Sequence, residues 1–239
     1  MQSVTIAIPV LNEEAVLRDA IEKICAAAAG LAGYAVTLVI ADNGSHDGTE
    51  RIGRELAVAH AEVKYLRLAE RGKGRAIRAA WQAHPADINA FMDADLSTDL
   101  GALPALIGAV SAGADVAVGS RRHRESKVVR TPLRRLTSRG YGAVLRSFIG
   151  TRIADVPCGF KAVSARVIRE VLPTVDDQGW FFDSELVLRA ERRGFAVREV
   201  PVVWRDDRDR PRKSKVDVFR LAGEYVKRAW RLRRAMNAR

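Results

Sequence analysis

Three observations predict an α/β protein built on a doubly wound, mostly parallel sheet. Apolar, β-branched runs alternate with stretches of helical periodicity through the first half of the chain. These runs end at polar clusters, with Asp42, Lys73, Asp93 and Ser120 each lying just past a predicted strand. The third observation is Phe91-Met92-Asp93-Ala94-Asp95-Leu96-Ser97, where a short apolar run stops at two carboxylates one residue apart. Alternate residues of an extended chain point to the same side, so Asp93 and Asp95 can reach one point. Paired hard oxygen ligands there suit Mg2+ or Mn2+ together with substrate phosphates. Taken alone, Asp-x-Asp is more often a solvated turn, here with Asp99 as a helix N-cap. The site reading gains its weight from the sheet, because ligands bind outside the carboxyl ends of such strands.

The elements follow in order. Val4 to Ile8 is a β-branched run ending at Pro9 and reads as the first strand. Leu11-Asn12-Glu13-Glu14 opens a helix with Leu17, Ala20, Ile21 and Ile24 on one face, its leading acids suiting the helix dipole. Val36 to Ala41 is a second strand. It stops at a dense turn, Asp42-Asn43-Gly44-Ser45-His46-Asp47-Gly48-Thr49, which opens a helix carrying Ile52 and Leu56. Val63 to Leu66 is a third strand, and Gly72-Lys73-Gly74 leads into a helix with Ile77, Ala80 and Trp81. Ile88 to Met92 is the strand before the carboxylate pair. A helix over about 100–112 and a strand at Val116-Ala117-Val118 follow.

The second half is less regular. The basic stretch Arg130 to Phe148 reads as a helix after Pro132. Asp155 to Ala162 precedes a helix through Val167, Ile168 and Val171, and Trp180 to Leu186 leads into another. Val197 to Trp204 reads as one strand, followed by a charged loop, Arg205 to Lys215. Val216 to Arg239 reads as one amphipathic helix, with Phe219, Ala222, Val226 and Trp230 on a stripe flanked by bases. The expected organisation is one α/β domain over residues 1–215 and a C-terminal basic helix over 216–239.

Composition narrows the partners. The net charge of +11 calls for an acidic one: a phosphorylated substrate, an anionic membrane or nucleic acid. Nucleic acid is disfavoured, because there is no basic strand interleaved with aromatics, no zinc spacing and no helix-turn-helix signature. The 2 cysteines, Cys25 and Cys158, suggest no disulfide framework. No window approaches the roughly eighteen apolar residues of a membrane span, and the opening residues show no signal-like core. A cytoplasmic location, peripheral on the inner face of the membrane, is therefore expected. Lys227, Arg228, Arg231, Arg233 and Arg234 with Trp230 would rest on an anionic leaflet, or the helix would pack on the body with its bases solvated, and the two readings are compatible.

As chemistry, Asp42 at a strand end can accept hydrogen bonds from a base or ribose. The carboxylate pair with a divalent ion can hold a diphosphate, and Lys73 between glycines can approach phosphate closely. Neither a Walker-type loop nor a Rossmann G-x-G-x-x-G after the first strand is present. Leu11-Asn12-Glu13-Glu14 is also not the Gly-rich, Arg-containing loop of a nucleotidyltransferase.

At this point the chain resembles an inverting glycosyltransferase of the GT-A fold and family 2, more narrowly the dolichyl- or polyprenyl-phosphate hexose synthases. The resemblance rests on Ile8-Pro9-Val10-Leu11-Asn12-Glu13, on Ala41-Asp42-Asn43-Gly44-Ser45 through Thr49, on Met92 to Ser97 and on Val118-Gly119-Ser120-Arg121. Arg134 with Ser138-Arg139, Asp155 with Cys158-Gly159-Phe160-Lys161, Phe182 to Leu186, Glu199 to Trp204 and Ser214-Lys215 continue it in order, over residues 4–217. It implies that Pro9, Asn12, Glu13 and Asp42 line a nucleotide pocket, with Lys73 near the ribose or diphosphate. It implies that Asp93 and Asp95 hold Mg2+ or Mn2+, with Ser97 as a further contact. Ser120, Arg121, Arg134, Ser214 and Lys215 would receive the acceptor phosphate, and Asp183 or Glu185 would orient a sugar hydroxyl. Read locally, those last two are only exposed first-turn helix acids. Catalysis would rest on Asp93, Asp95, Arg121 and Arg134. The donor would be a UDP or GDP sugar and the acceptor a polyprenyl phosphate, with a different acceptor, a soluble sugar or polysaccharide, as the alternative. Asn43 departs from the family's second Asp but still suits a turn. The sequences around Cys158 and Trp180 lean toward glucose over mannose.

Overall fold

The computed structural model describes residues 1–129, 150–205, 228, 230–232 and 234. The α/β sheet expected from the alternation is present. Its seven strands run in the order β3-β2-β1-β4-β7-β5-β8. The elements of the first half are β1 (Gln2–Val10), α1 (Leu17–Ala29), β2 (Tyr34–Asp42), α2 (Thr49–Ala59), β3 (Val63–Arg67), α3 (Lys73–Ala83) and β4 (Ile88–Met92). After a 3-10 turn at Leu100–Ala102 come α4 (Leu103–Ser111), β5 (Val116–Ser120) and β6 (Lys127–Val129). The remainder comprises β7 (Phe160–Ser164), α5 (Ala165–Glu170), a 3-10 turn at Leu172–Thr174, α6 (Phe182–Arg192), β8 (Val197–Pro201) and β9 (Val203–Arg205).

Strands β3, β2, β1 and β4 pair in parallel, with the near-continuous apolar burial that a sheet covered on both faces requires. One contiguous apolar core surrounds them. Trp81 of α3 sits in it against Phe91 and Phe182, donating its indole N–H to the Ala90 carbonyl at 2.9 Å. The strand order reverses between β1 and β4, which is where a doubly wound sheet opens a crevice.

Four expectations are corrected. Phe160–Ser164 is a strand, where the sequence suggested only an approach to a helix. It runs antiparallel between β4 and β5, so Phe160 pairs beside Met92 and the chain before it enters at the carboxyl edge of the parallel strands. Lys161 interrupts its apolar run, which hid the strand signal. The single strand expected over Val197 to Trp204 is two: β8 joins the main sheet, and β9 pairs with β6 in a small second sheet. The helix expected from Leu100 begins as a 3-10 turn, capped by the Asp99 carboxylate accepting from Gly101 N, and becomes α-helical at Leu103. Glu14 serves α2 and not its own helix: its carboxylate accepts from Gly48 N at 2.7 Å.

The helix expected over 130–148 lies outside the described residues. So does most of the C-terminal helix, although residues 228, 230–232 and 234 are helical. Among the described residues no helix is long and apolar enough to cross a membrane.

Candidate active site

The loops after β1 and β2 lock together. Asn12 takes a left-handed backbone with φ of 52°, a conformation Asn tolerates better than most residues. Its side-chain oxygen accepts from His46 N at 2.8 Å, and its own N–H donates to Ser45 Oγ at 2.9 Å. Glu13 N donates to Thr49 Oγ1 at 2.7 Å. Pro9, Asn12 and Glu13 are half-buried at this edge.

Asp42 lies deeper than the sequence suggested. It is fully buried, with Oδ1 accepting from Ser45 N at 2.9 Å and Oδ2 from the Tyr65 hydroxyl at 2.5 Å. Arg67 adds an ion pair at 3.3 Å. Tyr65 and Arg67 escaped sequence reading, yet they alternate on β3, and the register sets Arg67 opposite Asp42. Burial and the Asp42 carboxylate push the Tyr65 hydroxyl well above its ordinary pKa, so it stays a donor. Asn43 accepts from Gly72 N at 2.6 Å, tying this loop to the start of α3.

Two ion pairs place their ammonium groups near the Phe91 ring. Lys73 Nζ lies 2.5 Å from Asp93 Oδ1, and Lys161 Nζ lies 3.2 Å from Asp183 Oδ2. The two ammonium groups sit 5.5 and 5.4 Å from the Phe91 centroid. Lys161 is wholly buried and also donates to the Cys158 carbonyl at 2.5 Å. Burial works against the Lys73 ammonium, but Asp93 and Asp183 outweigh it and hold its pKa above the ordinary value. Burial raises the Asp93 carboxyl, and Asp95 and Asp183 add to that against Lys73. Lys73 pairs with Asp93 and Lys161 with Asp183, so Asp95 is the negative charge these two lysines leave over. A divalent cation fits that surplus, and Asp93, Asp95 and Ser97 line one cavity. Leu96 between them has φ of 50°, a strained backbone for a branched side chain.

Arg121 and Trp204 line the same cavity. Asp155 clamps Arg121 by three contacts, from its backbone N at 2.8 Å, Nε at 2.6 Å and Nη2 at 2.7 Å. The guanidinium carbon lies 5.8 Å from the Trp204 ring centroid. Burial opposes the Asp155 charge, but Arg121 prevails and holds the carboxyl below its usual range. Asp155 and Lys161 were legible only as motif letters, because neither partner is near in sequence.

Other expected site residues stand differently. Ser120 is fully buried, its Oγ accepting from Arg122 N at 3.3 Å. Asp183 and Glu185 are buried, not exposed first-turn acids. Glu185 accepts from Asp176 N, Asp177 N and Arg189 Nε, so it holds a loop. Arg134, Ser214 and Lys215 lie outside the described residues.

Gly159 carries a steric prediction. It enters β7 beside the carboxylate pair, and a Cβ there would lie 2.0 Å from Asp93 Oδ2. Gly159→Ala should displace Asp93 and lower turnover about a hundredfold, the scale of a roughly 1 Å misplacement. Steady-state kinetics beside a melting curve checks this.

A mostly parallel sheet with loop carboxylates at its switch point has the GT-A-like architecture of glycosyltransferases. The chain belongs to glycosyl transferase family 2, whose family model matches residues 5–172. It is 31% identical to glycosyltransferase AglD of Haloferax volcanii over 95% of this chain, but spans only 37% of that relative. It is 31% identical to the polyprenol monophosphomannose synthase of Mycolicibacterium smegmatis, over 81% of this chain and 73% of the relative. With the dolichyl-phosphate beta-glucosyltransferase of Saccharomyces cerevisiae it shares 26% identity over 79% of this chain and 63% of the relative. The fold matches glucosyl-3-phosphoglycerate synthase from Mycobacterium tuberculosis, crystallised with Mn2+ and UDP-glucose, at a TM-score of 0.68 and 22% identity, covering 97% of this chain and 79% of that one.

Proposed function

We propose that this protein transfers a hexose from a nucleoside-diphosphate sugar to a polyprenyl monophosphate, with inversion at the anomeric carbon and dependence on a divalent metal. The observation that carries this reading is the shared cavity of Asp93, Asp95 and Arg121. It sets a carboxylate pair suited to a metal-bound diphosphate alongside a fixed guanidinium suited to an incoming phosphate. The names of the mannose- and glucose-transferring relatives support the acceptor class. The net charge of +11 suits an anionic lipid at an anionic surface.

Asp93 and Asp95, with Ser97 beside them, would hold Mg2+ or Mn2+. When bound, that ion offsets the charge of the departing diphosphate. Lys73 opposes the burial that raises the Asp93 carboxyl and holds its side chain in place. Asn12, Glu13 and the Asp42 turn form the nucleotide wall. Arg121 orients the acceptor phosphate, and Asp155 keeps Arg121 from swinging away. A phosphate monoester is already an anion, so attack needs little help from a general base, and catalysis rests on position and electrostatics.

The test is a transfer assay with labelled UDP-glucose, UDP-N-acetylglucosamine or GDP-mannose, with and without polyprenyl phosphate. Label should enter the organic phase with one donor, only when Mg2+ or Mn2+ is present. Label moving instead to a water-soluble sugar or phosphorylated acid would transfer the proposal to another acceptor. Insensitivity to chelator would overturn the metal assignment.

A further inference from the structure

Between the second 3-10 turn and α6 lies a loop that ends in three aromatics, Trp180, Phe181 and Phe182. Phe181 and Phe182 are buried, but Trp180 is 48% exposed. An exposed indole on a loose loop would call for no explanation. This loop is held on several sides. Glu185 accepts from the backbone N–H groups of Asp176 and Asp177, and the Asp177 carboxylate accepts from Gly179 N at 2.7 Å. The Gln178 and Gly179 carbonyls accept from Arg75 N and Gly74 N at 3.0 and 3.1 Å, satisfying N–H groups at the open end of α3. Gly72, with φ of 154°, admits this docking, since a Cβ there would lie 2.3 Å from the Gln178 carbonyl oxygen. Arg228 pairs with Asp177 from the C-terminal segment.

The held loop sets Trp180 over Lys73, the lysine that pairs with Asp93. Its ring centroid is 5.0 Å from Lys73 Nζ, and that ammonium is 2.5 Å from Asp93 Oδ1. A sugar joined to a diphosphate held at Asp93 and Asp95 would extend beside Lys73, on whose ammonium the indole rests. A pyranose has an apolar C–H face that packs on an aromatic ring, and a pre-positioned indole offers that surface at low entropic cost. We propose that Trp180 is a specificity-determining residue that packs against the donor hexose, discriminating sugars by the face they present. This rests on the nucleotide-sugar reading above.

The experiment compares wild type, Trp180→Ala, Trp180→Leu and Trp180→Phe for binding of UDP, UDP-glucose, GDP and GDP-mannose with Mn2+, and for the KM of polyprenyl phosphate. Melting curves confirm that each variant is folded. The expected result is about tenfold weaker binding of one nucleotide hexose by the Ala and Leu variants, the scale of a lost aromatic contact. The parent nucleotide should bind unchanged, and the Phe variant should recover most of the loss. The wild type should also show a tryptophan fluorescence change with the nucleotide hexose that its nucleotide alone does not produce and that is lost in Trp180→Phe. Equal loss for nucleotide and nucleotide hexose, or a loss confined to the KM of polyprenyl phosphate, overturns the proposal. So does unchanged binding in all three variants. A wild type that binds neither UDP-glucose nor GDP-mannose overturns the donor reading itself, an outcome visible before any variant is made.

Discussion

Asp95→Asn should lower hexosyl transfer at least a thousandfold while leaving the melting temperature within a degree or two of wild type. Asp95 is exposed at the cavity, and its Oδ1 accepts from Ser97 N at 3.0 Å. An asparagine oxygen can accept that same bond, so the turn survives, and an exposed substitution of this kind changes stability by only about 0.5 kcal/mol. What is lost is one of the two anionic ligands available to a divalent cation. A thousandfold loss corresponds to about 4 kcal/mol of transition-state stabilisation, within the several kcal/mol that such a cation supplies. The decisive measurement is turnover of the variant titrated with Mn2+. A shifted or abolished metal response supports the assignment. Near-normal turnover in the presence of chelator removes Asp95 from the metal site.

Asp155→Ala should unfold the protein about 10 °C earlier, the largest stability effect expected at the site. The side chain is buried and holds Arg121 through Nε, Nη2 and the backbone N–H. Removing the anion leaves a largely buried guanidinium without its counter-charge, a change that costs about 3–5 kcal/mol. For a chain of this size each kcal/mol moves the midpoint by roughly 2–4 °C. The effect has a defined pH dependence. Arg121 holds the Asp155 carboxyl below its ordinary value in the folded state, so its contribution is complete above about pH 4 and is lost as pH falls through the lowered folded value. The stability difference between wild type and Asp155→Ala should therefore shrink only under acid, as urea midpoints across pH would show. The double variant Arg121→Met with Asp155→Leu separates packing from chemistry. An apolar pair can replace a buried ion pair at little cost, so stability should largely return. Transfer should not return if Arg121 holds the acceptor phosphate as proposed, because that guanidinium is gone.

Local physics carried much of the fold. Strands β1 to β5 and the helices between them were legible because periodicity and turn chemistry are written within a few residues. The carboxylate pair was legible for the same reason: an apolar run and two acids two positions apart define both the strand end and the direction of the side chains. Partners, by contrast, depend on register and topology. That Arg67 and Tyr65 take hold of Asp42 follows from the pairing of β2 with β3. That Asp93 leaves no room for a side chain at Gly159, and that Lys161 pairs with Asp183 near Phe91, follows from β7 running antiparallel between β4 and β5. A charged residue inside that strand hid it from any apolar pattern.

The sequence by itself determined the α/β class, the order of the early elements, and where the acids and the lysine fall relative to strand ends. Only the tertiary structure decided which charges meet. It clamped Arg121 with Asp155, turned Glu185 to a loop, sank Ser120 into the core and set Trp180 over Lys73. The physical reason is that hydrophobic periodicity is a property of neighbours along the chain, whereas a buried charge selects its partner through space.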